Sequence, residues 1–504
     1  MTIRDACVSR RQLLAGALGA GAVGVLAACA PDTATSDPAA LASAVAAAEK
    51  SRPTTGTLQR VTLTAALLQV DLAGRVVTTW AYGGSVPGKP IRATVGDRVQ
   101  VMVQNGLPEP TSVHWHGLAI RNDMDGVPGL TTAEIAAGGA FEYDFVVPDA
   151  GTHWFHPHHG AQVDRGLYAP FIVDAADEPG GYDHEWILVL DDWSDGIGPS
   201  LMESYDALVA AGKDGDGMGH MGGMGMGGSG MGGSGMGGMN MDGGDVDYSL
   251  YVINGRAPAD PDVLTAEPGQ KVRLRIINAA ADSVFDVALA GHQLLITHTD
   301  GYAVNPVPTS LLRLGMGERY DAVVTLEDGV FPFVARRYGK PGLARALVRT
   351  GAGTVPEASF QPTELSGYPL TADVLSAAPG TALPAADADT SQDVVLSGSM
   401  APYVWTINGR TYDETVPLTV AAGQTTRLRV MNHSMMAHPL HLHGHTFQLG
   451  AAGGSGTRKD TVLVPSMGAV DVAVLADNPG RWMLHCHTAV HMEAGMMTRL
   501  DYTT

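Results

Sequence analysis

The chain has 504 residues, 45% of them hydrophobic and 16% charged, which is enough apolar content for substantial cores and enough length for about three domains. Its formal net charge of −21 argues against a nucleic-acid partner and suits cationic ones. Only three cysteines are present, Cys7, Cys29 and Cys486, so a disulfide-stapled scaffold is excluded as well.

At the N-terminus, Ser9-Arg10-Arg11-Gln12-Leu13-Leu14 forms a twin-arginine pattern. An apolar, small-residue run from Leu13 follows and ends in Leu26-Ala27-Ala28-Cys29. Residues 1–29 therefore read as an export signal. The run is shorter than the about 20 strongly apolar residues of a membrane span, so no span is expected. Leu-Ala-Ala-Cys resembles a bacterial lipobox, which implies cleavage before Cys29, a lipid anchor on its sulfur and a place in the cell envelope. Cys7 leaves with the signal, and Cys486 remains as the single free thiol. In an oxidising compartment such a thiol climbs the oxidation ladder unless something protects it, and a bound metal would. Residues 30–55 are expected as a linker.

From there the chain repeats one unit three times. VGDRVQVMVQN (95–105), PGQKVRLRIIN (268–278) and AGQTTRLRVMN (422–432) each place a glycine nine residues before an asparagine, with strand-like apolar patterning between. The first copy sits in a domain expected over 56–178. It is followed by His114 and His116 in HWHG, by Asp125 in DMDGVPG, and by His156 and His158 in GTHWFHPH. The second domain, expected over 179–350, opens with a strand at Trp186–Leu190. It carries an insert at 213–241 with eight methionines, Met218, Met221, Met224, Met226, Met231, Met236, Met239 and Met241, in a glycine background. At the histidine positions this middle copy has Val287, Leu289, Val334 and Arg336. A tether rich in Ala, Pro, Gly and Thr is expected over 351–390. The third domain, 391–504, restores the histidines as His441 and His443 in HPLHLHG and His485 and His487 in GRWMLHCH.

In a strand, residues i and i+2 share a face, so each His-x-His can present two imidazoles to one metal site. A single pair reads by default as structural histidines. Four pairs in register across a repeat read as a multi-metal cluster between the first and third domains. Cys486, between His485 and His487, faces the opposite way. His438 shares its parity, and His491 and Met496 follow five and ten residues later. Two histidines, a thiolate and a distant thioether are the ligand set of a blue copper site. The first copy has Pro157 at the corresponding place, so only the third domain can build it.

HWHG, HPLHLHG and HCHTAVHMEAGM resemble the ligand signatures of the three-domain multicopper oxidases, the laccase-like family. The resemblance covers nearly the whole chain after the signal. It implies an all-β fold of three cupredoxin-like Greek-key β-barrel domains, four copper ions, and reduction of O2 to water by four one-electron oxidations. Carried over by position, the type 1 copper takes His438, Cys486, His491 and axial Met496. The type 2 copper takes His114 and His441, and the type 3 pair takes His116, His156, His158, His443, His485 and His487. Cys486 is then also catalytic, as the link between the two sites.

Asp125 resembles the family's proton-donating acid beside the cluster, although Asp-Gly is equally a turn signal. Many members carry an acid directly after the histidine matching His491; here Met492 stands there and Glu493 follows. His153, His159, His184, His292, His298, His433 and His445 fall outside the matched pattern and read as structural, with His445 placed to tune the ligand block. Thioethers are soft ligands suited to Cu(I), and copper-tolerance oxidases of this family carry comparable inserts. The expectation is therefore a monomeric, exported cuprous oxidase using O2. Its alternatives are a laccase acting on phenols or aromatic amines, or an oxidase of ferrous or manganous ion.

Overall fold

The structure, a computed structural model, describes residues 37–175, 181–213 and 243–503. The twin-arginine signal, Cys7, Cys29 and all eight methionines of the insert lie outside the described residues. Among the described residues no helix is long and apolar enough to cross a membrane.

The described chain forms three pairs of β-sheets. The first pair joins Val76–Tyr82, Leu58–Asp71, Arg98–Asn105 and Ala140–Val146, in that spatial order, with a sheet of Ile91–Thr94, Ala169–Asp174, Gly151–His156 and His114–His116. The same layout recurs twice with longer sheets. In each pair the repeat strand lies parallel to the opening strand of its unit: Arg98–Asn105 on Leu58–Asp71, Lys271–Asn278 on His184–Trp193, and Thr425–Asn432 on Thr390–Met400. The strand expected at Trp186–Leu190 is the middle of His184–Trp193. Apolar side chains fill the space between paired sheets, with Trp115, Phe145 and Phe171 in the first core and Trp482, Leu484 and Leu500 in the third.

The shared glycine and asparagine have one structural cause. Gly96, Gly269 and Gly423 all sit at positive φ (85°, 83° and 82°) in the turn before the repeat strand, a conformation that costs other residues energy. Nine residues on, each asparagine clamps the loop leaving its strand. Nδ2 of Asn105, Asn278 and Asn432 donates to the carbonyls of Glu109, Ser283 and Met436, and each Oδ1 accepts from the backbone N–H two residues ahead. In the outer units those loops lead directly to His114 and His438.

Two expected linkers are structured. Within 30–55, Asp37 caps a helix, Pro38–Ser51, by accepting from Ala39 N–H; Leu41 and Val45 are buried, and Glu49 accepts from Val146 N–H. The tether reading of 351–390 is also corrected. Leu365, Leu370, Leu375 and Leu383 are buried, and bridges tie Leu370 to Leu312, Ala377 to Val304 and Ser376 to Gly456. Apolar residues spaced along an Ala/Pro-rich stretch carried no strand or helix period, so composition alone misread a segment that packs with only two short 3-10 turns, Thr363–Ser366 and Ala372–Val374.

Candidate metal centre

Register brings the four His-x-His pairs together. His114 is paired with His156 across one sheet, and His441 with His485 across another. All eight histidines converge in one cluster: His114 and His441 face each other Nε2 to Nε2 at 3.4 Å, and His443 and His485 do so at 3.0 Å. The rings of His116 and His441 stack at 3.8 Å.

The opposite ring nitrogens are held by groups that can only accept. Nδ1 of His114 donates to the Asp125 carbonyl (2.9 Å), of His441 to the Asp460 carbonyl (3.0 Å), of His485 to the Cys486 carbonyl (2.9 Å), and of His443 to the Asp125 carboxylate (3.0 Å). In the neutral ring that leaves Nε2 bare. Two bare nitrogens 3.0 Å apart repel each other unless a cation lies between them. His116 is turned the other way, with Nε2 3.2 Å from Asp460 Oδ1 and 3.1 Å from Thr461 Oγ1. Its Nδ1 is then the bare atom. Nδ1 of His116 and Nε2 of His156, His158 and His487 are buried without any hydrogen-bond partner. Burial, reinforced by neighbouring imidazoles, holds His116, His156, His158, His443, His485 and His487 well below the usual histidine pKa. They are neutral, the form that binds metal.

Cys486 points away from this cluster, as its parity requires. Its Sγ lies 3.6 Å from His438 Nδ1 and 3.7 Å from His491 Nδ1, and the two nitrogens are 3.1 Å apart. Met496 is fully buried, and its carbonyl accepts from Cys486 N–H. The outer nitrogens are again occupied: His438 Nε2 donates to Ser434 Oγ (2.7 Å) and His491 Nε2 to Asp245 Oδ2 (3.1 Å). Trp405 lies against both rings. Burial lowers the His491 pKa, but the Asp245 carboxylate and Cys486 outweigh it and push the group up to about 10.

Asp125 sits in a turn and beside the cluster at once. It caps a short 3-10 turn before Gly126 through its backbone, while its carboxylate reaches His443. Glu493 instead lines a cavity of about 480 Å³ with Glu109, His159, Asp164 and Arg165, and burial raises its pKa. Among the described residues no hydrogen bond joins its carboxylate to a cluster histidine. His445 bonds the His443 carbonyl and Tyr502, His184 bonds the Gln270 side chain, and His292 bonds the nearby Ala290 carbonyl. His153 is buried with both nitrogens unpartnered. Two residues at the sites went unseen in the sequence, Asp245 and Asp460: Asp245 reaches His491 across domains, and Asp460 reaches His116 across domains as well as His441 within its own.

Multicopper oxidase family models match residues 65–178, 225–353 and 386–504. The chain belongs to the multicopper oxidases. Multicopper oxidase MmcO of Mycobacterium tuberculosis (strain ATCC 25618 / H37Rv) is 49% identical, with 99% of each chain covered. A copper resistance protein A homolog of Pseudomonas syringae pv. tomato (strain ATCC BAA-871 / DC3000) is 27% identical over 86% of this chain and 90% of that one. The crystal structure of the multicopper oxidase Fet3p superposes with a TM-score of 0.74 at 20% identity, covering 88% of this chain and 90% of that one. The fold is thus the expected all-β, cupredoxin-like one, and the oxidase is an oxidoreductase that uses O2. Its family implies copper, and the donors fit: bare buried nitrogens that nothing else satisfies, and one thiol between two imidazoles.

Proposed function

We propose that the oxidase holds four copper ions and oxidises Cu(I) to Cu(II) in copper tolerance, reducing O2 to water. His438, Cys486, His491 and Met496 would hold the type 1 ion. His114 and His441 would hold the type 2 ion, supported by their facing bare nitrogens. The type 3 pair divides into His158, His443 and His485, which group as one metal-sized donor set, and His116, His156 and His487, which carry three of the unpartnered nitrogens. Copper bound at these places supplies one-electron transfer at the thiolate and four-electron reduction of O2 at the cluster. Asp125 keeps the His443 Nδ1 proton in place and is the acid we assign to proton delivery. Cys486 joins the sites, since its flanking residues His485 and His487 belong to the cluster.

The observation that carries the substrate reading is Asp245. Its carboxylate closes the outer edge of His491, accepts also from Tyr403 O–H at 2.7 Å, and lies with Tyr403 and Trp405 where a phenol would need an open apolar slot. A fixed carboxylate suits a cationic electron donor. Asp245 follows Met241 by four residues, so the methionine segment, whose thioethers favour Cu(I), is tethered to this edge. The copper-resistance relative supports the same reading. Oxidation of phenols, aromatic amines, ferrous or manganous ion is the alternative. We further assign twin-arginine export and a lipid anchor at Cys29, supported by the sequence patterns at residues 9–14 and 26–29, and take the oxidase as a monomer.

Deleting 213–241 tests the reading. Turnover of Cu(I), Fe(II), Mn(II) and a bulky phenol is compared in full-length and deleted protein. Cu(I) oxidation should fall while the blue colour and phenol turnover are kept. Unchanged Cu(I) oxidation would make the insert a spacer and move the laccase reading ahead.

A further inference from the structure

We propose that Arg319, on the sandwich that supplies no cluster histidine, is a positioning residue that sets His116 and His441 through Asp460; this rests on the copper-ligand reading above. The Arg319 side chain is completely buried. Its Nη1 and Nη2 donate in parallel to the two carboxylate oxygens of Asp460 at 2.7 and 2.6 Å, while Nε donates to the Thr152 carbonyl at 3.0 Å. One guanidinium therefore grips the third sandwich through Asp460 and the first through the strand Gly151–His156. The bidentate fork fixes direction as well as distance.

Asp460 passes that direction on to both outer units. Its Oδ1 lies 3.2 Å from His116 Nε2, and its carbonyl accepts from His441 Nδ1 at 3.0 Å. The Thr461 hydroxyl donates to Asp460 Oδ1 at 2.8 Å and stands 3.1 Å from each of the two rings. His116 and His441 come from different sandwiches yet stack with an interplanar angle of 11°, so they need a common reference, and Asp460 is it. Asp460 is pinned in turn from the middle unit. Asp300, a non-glycine residue at φ +46°, accepts from the backbone N–H groups of Asp460 (3.2 Å), Thr461 (3.1 Å) and Arg319 (2.9 Å).

The backbone has been cleared for this contact. A Cβ on Gly117 would lie 2.3 Å from Arg319 Nη2 and 2.8 Å from Asp460 Oδ2, and one on Gly317 would lie 2.8 Å from His116 Cε1. The turn before Arg319 is thus a wall of the cluster, built by the unit without ligands. Outer partners of metal-binding histidines fix ring orientation, and their loss weakens metal affinity by about 10–100-fold. Lysine keeps the charge of Arg319 but has no planar fork.

The test uses copper-loaded full-length protein, Arg319→Lys, Asp460→Asn and a control, Arg345→Lys. Arg345 is also buried in the middle unit but bonds only the backbone carbonyls of Pro258, Pro356 and Glu357. The readouts are the type 2 hyperfine pattern by electron paramagnetic resonance, the chelator concentration that strips cluster copper, and the blue absorption as internal reference. In both site variants we expect an altered type 2 pattern and stripping at about 10–100-fold lower chelator, with the blue band unchanged. Arg345→Lys should change neither. Wild-type signals in a folded Arg319→Lys or Asp460→Asn would overturn the proposal. Asp460→Asn is isosteric and keeps an acceptor for the guanidinium, so it decides the matter if Arg319→Lys does not fold. Loss of native circular dichroism in both would show a scaffold role instead and also overturn it. Wild-type protein that takes up copper without a type 2 signal would refute the ligand reading, which is a distinct outcome.

Discussion

Cys486 is the one residue whose side chain and backbone serve different sites. Its thiol lies between His438 and His491, its carbonyl accepts from His485 Nδ1, and its peptide neighbours His485 and His487 point into the cluster. A serine there keeps the backbone and removes the thiolate. Cys486→Ser should therefore abolish the blue absorption and substrate oxidation while cluster copper remains measurable by metal analysis; a mutant that stays blue would refute the site. Asp125 probes the other end. Removing its charge leaves His443 Nδ1 an amide acceptor but no acid, so Asp125→Asn should slow reoxidation by O2 in stopped-flow measurements more than it slows reduction of the blue site. Equal slowing of both steps would leave Asp125 with its turn-forming role alone.

At the scale of elements, the Gly-to-Asn repeat separates what folds the units from what gives two of them chemistry. Asn432 holds the Met436 and Pro465 carbonyls and the Ser434 N–H, thereby fixing the loop that delivers His438. Asn278 makes the equivalent clamp where no ligand follows. Alanine at either position leaves buried acceptors unpaired, at a cost of about 1–3 kcal/mol each. Both variants should lose stability in denaturant melts, but only Asn432→Ala should also shift the blue spectrum. Why the histidines were legible follows from the same elements: a strand has period two, so spacing alone assigned His485 and His487 to one face and Cys486 to the other. Contacts with no local period were not legible. Asp245 meets His491 across 246 residues and Thr461 meets His116 across 345, distances over which a single sequence carries no spacing signal. The helix Pro38–Ser51 was missed because it is short and alanine-rich with few apolar anchors, and the packed segment after residue 351 because its Ala-, Pro- and Thr-rich composition is shared with true linkers.

At the scale of the whole molecule, the middle unit acts as a brace whose charges are buried between its neighbours. Beyond Arg319, Asp321 accepts from Arg273 at 2.6 Å, lies 3.3 Å from Arg275, and accepts from Thr152 O–H of the first sandwich at 2.7 Å. Burial alone would raise the Asp321 pKa; Arg275 and Arg273 outweigh it and bring the group down to about 2, against an ordinary value of 3.8. A carboxylate with a depressed folded pKa stabilises the fold fully above its unfolded pKa and loses that contribution as pH falls toward the folded one. For Asp321 the window runs from about pH 4 down to about pH 2, and the contribution is about 2 kcal/mol. Asp321→Asn removes the buried carboxylate that Arg273 and Arg275 share, while Arg275 keeps Glu185 at 2.6 Å, and should cost about 3 kcal/mol at neutral pH. Chemical unfolding of the copper-free protein at a series of pH values checks this. The gap between wild type and Asp321→Asn should be constant above about pH 5 and narrow as pH drops through the window, because protonating the native Asp321 removes the same charge that the substitution does. A gap that stays constant down to pH 2 would show that the Asp321 charge is not what holds this buried network together.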